Sequence, residues 1–122
     1  MTTKFNELPW HDSTLLMIAI DRSDPGNNDT IKFKVQWPES EIISNVEFHD
    51  CYQMESSFNF GIVAPETIAI AMCKTESPEL STIRDLWSKG GVFLDNLKCY
   101  EFEMNSTASV MKIFAMSVQI DH

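Results

Sequence analysis

The sequence predicts an α+β fold: a mainly antiparallel β-sheet or sandwich of about six to eight strands, with one firm helix over about residues 78–89. Three observations predict it. Most of the chain alternates apolar and polar residues with period two, which is typical of strands with one buried face. Short segments rich in turn-forming residues separate these stretches. One segment instead carries helical periodicity behind a capping signal.

The first two predicted strands cover residues 14–21 and 30–37. Residues 14–21 are apolar on both faces, which favours a central position in the sheet. Residues 30–37 give the clearest strand, because Ile31, Phe33 and Val35 alternate with polar residues. The connection between the two strands is short and contains Pro25 and Gly26, so an antiparallel hairpin is expected.

The middle of the chain predicts further strands. Residues 42–62 continue the alternation as one long strand or as two strands broken near residues 50–53. Residues 67–74 alternate isoleucine and methionine with alanine, which favours another strand. A helix beginning at Pro65 is the competing interpretation, because alanine is the strongest helix former.

The predicted helix follows directly. Ser77 is a suitable N-cap, Pro78 fits the first helical position, and Glu79 complements the positive end of the helix dipole. The apolar residues that share one helical face are Leu80, Ile83, Leu86 and Trp87. The glycine pair at residues 90–91 ends the helix.

Two strands over residues 99–104 and 110–120 close the chain as a second hairpin. In the last strand, the alternation places four apolar residues on one side: Phe114, Met116, Val118 and Ile120. No linker or repeat divides the 122 residues, so a single domain over 1–122 is expected.

The charge and the cysteines restrict the function. Eighteen acidic residues stand against nine basic ones, giving a net charge of -9. Without clustered lysine and arginine, binding to nucleic acid or to an anionic membrane is disfavoured, whereas a basic protein is a suitable partner. No membrane span, secretory signal or paired cysteine motif is present, so we expect a cytoplasmic protein with no cofactor.

Five residues are candidates for a binding site: Trp10, His11, Asp12, His49 and Asp50. If the two His-Asp pairs converged, they could hold a metal ion or support hydrolysis. However, adjacent strand residues point to opposite faces, so each pair cannot easily supply both members to one ion. We therefore expect no metal site and no catalytic residue, and keep a small metal-binding or hydrolytic domain as an alternative.

Two other arrangements are weaker candidates for catalysis. Cys51 and His49 share a strand face, as a nucleophile and its base would. Acidic neighbours, however, oppose the formation of a thiolate. Glu101 and Glu103 also share a face about 7 Å apart, which overlaps the carboxylate spacing of glycoside hydrolysis. A solvent-exposed strand face is the simpler interpretation of these two glutamates.

The opening segment, Leu-Pro-Trp-His-Asp-Ser-Thr-Leu-Leu over residues 8–16, resembles the start of small bacterial families that enter a strand directly after a His-Asp-Ser motif. Some of these families are similar to immunity proteins of polymorphic-toxin systems. Residues 48–52 and 59–61 carry further features of the same kind. The resemblance implies a compact cytoplasmic α+β binding protein without catalysis.

Three hypotheses for function follow from the sequence. The leading one is a non-enzymatic binding protein, of which an immunity-type inhibitor of a basic toxin is one form. The second is the small metal-binding or hydrolytic domain built on His11, Asp12, His49 and Asp50. The third is a homo-oligomeric structural module, such as a homodimer joined through unpaired sheet edges.

Overall fold

Six antiparallel strands form one sheet in the computed structural model, which describes residues 2–121 and the side chains from residue 4 onward. In chain order the elements are α1 (Thr2–Asn6), β1 (Thr14–Asp21), β2 (Thr30–Gln36), β3 (Ile43–Ser57), β4 (Ile68–Lys74), α2 (Pro78–Ser88), β5 (Lys98–Met104) and β6 (Val110–Asp121). The strand order is β1-β2-β3-β6-β5-β4. This architecture confirms the predicted fold class, with α2 as the one firm helix.

The β1–β2 hairpin is confirmed, with Ile18 opposite Phe33. The predicted central position of β1 is wrong, because β1 lies at one edge of the sheet. A bulge between Leu15 and Met17 shifts the alternation, so that Leu15 and Ile18 both pack on the core. The remaining apolar side chains of this strand are exposed to solvent rather than covered by a second layer.

β3 is a single strand of 15 residues that bends in its middle. The bend coincides with a bulge between Cys51 and Gln53 and with a left-handed backbone at Asp50, whose φ is 52°. The chain leaves the sheet after Ser57, so the predicted continuation of the strand to residue 62 is wrong. β4 is a strand, which decides against a helix from Pro65.

The two edge strands meet at one corner of the curled sheet. Thr14 and Thr67 form an isolated antiparallel bridge. Next to it, the Leu15 N–H donates to the Glu66 carbonyl at 2.8 Å. The sheet thereby encloses the larger core, whose aromatic side chains are Phe5, Trp10, Phe33, Trp37, Phe48, Tyr100 and Phe102. Phe5 comes from α1, a short helix that the sequence analysis did not predict.

α2 packs on the outer face of β5 and β6. Its N-cap is confirmed, since the Ser77 hydroxyl accepts a hydrogen bond from the Leu80 N–H at 3.1 Å. Leu80 and Ile83 form a second core with residues that include Leu97, Cys99 and Phe114. The predicted helical face is only partly buried, because Leu86 is 66% exposed.

β6 is covered on both faces, so the prediction of one shared apolar side is wrong. Phe114 and Met116 pack with the α2 core. Val118 and Ile120 pack instead against the inner core. The change of side occurs where β6 runs beside the bend in β3. The β5–β6 hairpin itself is confirmed.

Candidate binding surface

Trp10 and Ser13 belong to the interior. The Trp10 side chain is buried, and its Nε1–H donates to the Phe5 carbonyl at 2.7 Å. The buried Ser13 hydroxyl donates to the Trp10 carbonyl at 2.6 Å and so fixes the turn into β1. The indole therefore presents no surface to a partner, and this part of the motif is a folding device.

His11 and Asp12 are exposed, and they lie along the outer edge of β4. His11 Nδ1 is 3.0 Å from the Ala69 carbonyl oxygen, and the Asp12 N–H donates to the Ile68 carbonyl at 2.8 Å. The two side chains approach each other, with His11 Nε2 and Asp12 Oδ2 3.5 Å apart. Asp12 has a φ of 68°, a left-handed conformation that aspartate tolerates better than most residues. Both residues thus help the N-terminal segment cover the edge of β4.

His49 and Asp50 do not join that pair. His49 Nε2 lies 3.8 Å from Glu47 Oε1, and β5 and β6 separate β3 from β4 in the sheet. Asp50 lies at the bend of β3. Within residues 2–121, no group of three or more histidine, cysteine, aspartate or glutamate side chains is arranged to hold a metal ion. The four residues therefore do not form the common ligand set that the second hypothesis requires.

Cys51 is a poor nucleophile in this setting. Burial raises the pKa of its thiol to about 11, and the negative charges of Asp29 and Asp50 add to that effect. The thiolate is the reactive form, so very little of it is present near pH 7. Of the two glutamates on β5, Glu101 lies 3.3 Å from the Lys74 ammonium and faces Lys112 across the sheet. Its carboxylate is thus paired with Lys74, while the Lys112 ammonium donates to Glu79.

A concave feature lies between β1 and the chain that follows β3. A hollow of about 590 Å³ is bounded on one side by β1 and on the other by residues 58–66, hereafter the 58–66 segment. A second hollow of about 560 Å³ continues from it, since Ile20 and Met54 line both. We call the two together the β1 groove. Its length follows β1 from Leu15 to Arg22.

The far wall of the β1 groove is anchored. The Asn59 side-chain amide donates to the Thr107 carbonyl at 2.9 Å, and the Thr107 hydroxyl donates to the Glu66 carboxylate at 2.9 Å. Both ends of the 58–66 segment are thereby tied to the β5–β6 turn. Between them, Gly61 takes a φ of 96°, a conformation that favours glycine.

Apolar side chains are exposed on both walls. On β1, Ile20 is 61% exposed, and on the far wall Phe60 is 88% exposed. The other large apolar residues exposed here are Leu16, Met17 and Ile62. A contiguous apolar surface of this kind, rimmed by polar residues, is typical of an interaction site.

Carboxylates lie at both ends of the β1 groove. Glu66 lies at the end near Leu15, and Asp29 and Asp50 line the other end. Of the described residues that line the groove, Arg22 alone is basic, and its Nε donates to Asp29 at 2.7 Å. The Asp50 carboxylate has no hydrogen-bond or ion-pair partner within the described part of the chain, so its charge is available to a ligand. Of the five candidate residues, Asp50 is the one that the structure places in the groove.

Most of this surface is not predicted from the sequence. The alternation predicts a strand over residues 58–62, and the apolar residues on both faces of β1 predict an interior position for that strand. Neither described helix is long and apolar enough to cross a membrane. No model of a known protein family matches the chain, and no curated protein matches it either. A function for the β1 groove has to be argued from the chemistry of its own side chains.

Proposed function

We propose that this protein is a non-enzymatic binding protein whose partner is a basic protein. The observation that carries the proposal is the β1 groove, where exposed apolar side chains lie between carboxylates at either end. The net charge of -9 extends the same preference over the whole molecule. Burial of the apolar side chains of the groove against the partner would supply affinity. Charge complementarity between the two proteins would raise the association rate and the selectivity.

An immunity-type inhibitor of a basic toxin is the specific form that we favour. The resemblance of residues 8–16 to the opening of such families supports it, as does the charge. An acidic inhibitor gains a high association rate against a basic target, because long-range attraction steers the encounter. Rapid capture matters for an inhibitor that has to act before its target does.

The side-chain arrangement supports binding better than catalysis. His11 and Asp12 contact the edge of β4. His49 lies instead on β3, where its nearest charged neighbour is Glu47 of the same strand. The raised pKa of Cys51 keeps its thiol protonated. Neither set provides a nucleophile with an adjacent base, the arrangement that covalent catalysis requires.

Co-purification from the native cell at low ionic strength tests the proposal. We expect a basic protein to be retained, with an association rate that falls steeply as salt is added. Asp50→Asn should weaken its binding several-fold, whereas Glu39→Gln, which removes an exposed carboxylate outside the groove, should change it less than twofold. An acidic partner, a salt-independent association rate, or the absence of any saturable partner would contradict the proposal.

A further inference from the structure

The two edges of the sheet differ in how much of their backbone is covered by other parts of the chain. The edge of β4 is covered by the chain's own N-terminal segment, where the Asn6 side chain bonds both the N–H and the carbonyl of Cys73, at 2.7 and 3.3 Å. His11 and Asp12 continue that cover toward Ile68. Among the described residues, the edge of β1 is held only at its start, where the Leu15 N–H donates to the Glu66 carbonyl.

From Leu16 to Asp21, no strand within residues 2–121 pairs with the outer edge of β1. These six residues span about 20 Å at the usual rise of a strand. Alternate backbone N–H and carbonyl groups of an edge strand point away from the sheet and can pair with another chain. Natural edges are usually protected by lysine, proline or a charge, and residues 16–20 contain none of these. The one bulge lies at the start of the strand.

The bare edge and the β1 groove form one surface, because β1 is both the unpaired strand and the near wall of the groove. An extended segment laid along β1 would pair its backbone with that edge. Alternate side chains of the segment would then face the apolar walls, where Ile20 and Phe60 are exposed. Strand addition of this kind takes affinity from main-chain hydrogen bonds and specificity from side-chain pockets.

The charges indicate what kind of segment fits. Glu66 lies at the start of β1, and Asp29 and Asp50 lie near its end. A segment with apolar residues in the middle and lysine or arginine at each end would match both features. A second copy of this chain is the poorer occupant, because it would bring a charge of -9 against a charge of -9.

We propose that the outer edge of β1 accepts an extended segment of a basic partner as an added strand, with apolar side chains in the β1 groove and basic side chains near Glu66 and Asp50. The proposal rests on the function proposed above and specifies how the partner is held. It also assigns a role to the exposed apolar residues of the 58–66 segment, which form the second wall around the added strand.

Three synthetic peptides test the strand addition. The first alternates valine with threonine between terminal lysines. The second replaces the lysines by glutamates, and the third keeps the first sequence with alternate backbone nitrogens methylated. We expect saturable binding of the first peptide, with slowed amide hydrogen exchange at alternate residues of 16–21, and at least tenfold weaker binding of the other two. Failure of the first peptide to bind at millimolar concentration, or equal binding of all three, would overturn the proposal.

Substitutions that place a lysine on the wall of the β1 groove test the same proposal in the protein itself. Ile20→Lys should weaken binding of the first peptide at least tenfold, and Met17→Lys should also weaken its binding. Both side chains are largely exposed, so folding should be retained. Leu86→Lys on α2 makes the same charge change at a 66% exposed residue outside the groove and should have less than a twofold effect. Equal effects of Ile20→Lys and Leu86→Lys would refute the groove as the binding site.

Two further results separate this inference from the proposed function. If a basic partner from the native cell binds Ile20→Lys as tightly as the original protein, strand addition at β1 is wrong while the proposed function stands. If light scattering shows a dimer that Ile20→Lys dissociates, the occupant is a second copy, and the proposed partner segment is wrong.

Discussion

Replacing Trp10 by phenylalanine tests whether the opening motif is a folding device. The Trp10 ring lies within 5.0 Å of the rings of Phe5 and Trp37, measured between centroids, and within 5.7 Å of Phe102. Its Nε1–H bond to the Phe5 carbonyl joins α1 to the turn that enters β1. Trp10→Phe keeps an aromatic ring but removes that donor and part of the buried volume.

These contacts determine how much stability Trp10→Phe should lose. Loss of one buried hydrogen bond destabilises by about 1 kcal/mol. The Phe5 carbonyl retains one acceptor contact, from the Leu8 N–H at 3.3 Å, which keeps this penalty moderate. The cavity left by the smaller ring adds about 1–2 kcal/mol. The free energy of unfolding should therefore fall by about 2–3 kcal/mol, a large share of the 5–15 kcal/mol typical of a domain.

Urea unfolding followed by far-ultraviolet circular dichroism measures this change without relying on tryptophan fluorescence. Trp87→Phe is the matched control, because Trp87 is 39% exposed and its ring packs on Tyr52 at 5.0 Å. The control should lose less than about 1 kcal/mol. If Trp10→Phe costs no more than Trp87→Phe, the structural role assigned to the motif is wrong.

Three other predictions concern single residues. Arg84→Lys should lower the free energy of unfolding by about 1–3 kcal/mol. The Arg84 guanidinium donates to the carbonyls of Leu94 and Leu97 at 3.2 and 2.7 Å, and a lysine ammonium cannot make both bonds in that geometry. An unchanged midpoint of urea unfolding would contradict this prediction. Asp12→Gly should change the free energy of unfolding by less than about 0.5 kcal/mol. Asp12→Ala should lower it by about 1 kcal/mol, because alanine disfavours the left-handed backbone at this position. Equal stability of the two variants would show that the backbone there is not strained. Alkylation of Cys51, followed by mass spectrometry, should be about 100-fold slower near pH 7 in the folded protein than in the urea-unfolded chain, because the thiol pKa is about 11 rather than 9.0. The alkylation rate of the folded protein should rise with pH up to about 11. A plateau of that rate near pH 9 would refute the raised pKa.

The sequence by itself determined the local structure. Alternating side chains located β2, because a strand with one buried face shows its period directly in the residue order. Ser77 and Pro78 located the start of α2 for a similar reason, since capping depends on neighbours within one turn. The excess of acidic residues also favours a basic partner, without reference to the fold.

The tertiary structure decided which strands lie at the edges, and the candidate site depends on that. Residues 14–21 have the same apolar pattern whether they lie at the centre or at the edge of a sheet, so the pattern could not show that one side of β1 is bare. Strand order results from long-range pairing, such as that of β3 with β6. The strand order separates His11 from His49, and the β1–β2–β3 part of the sheet brings Asp50 and Ile20 to the same hollow. A surface built from segments far apart in the chain leaves no local signal, because its members become neighbours only when the sheet closes.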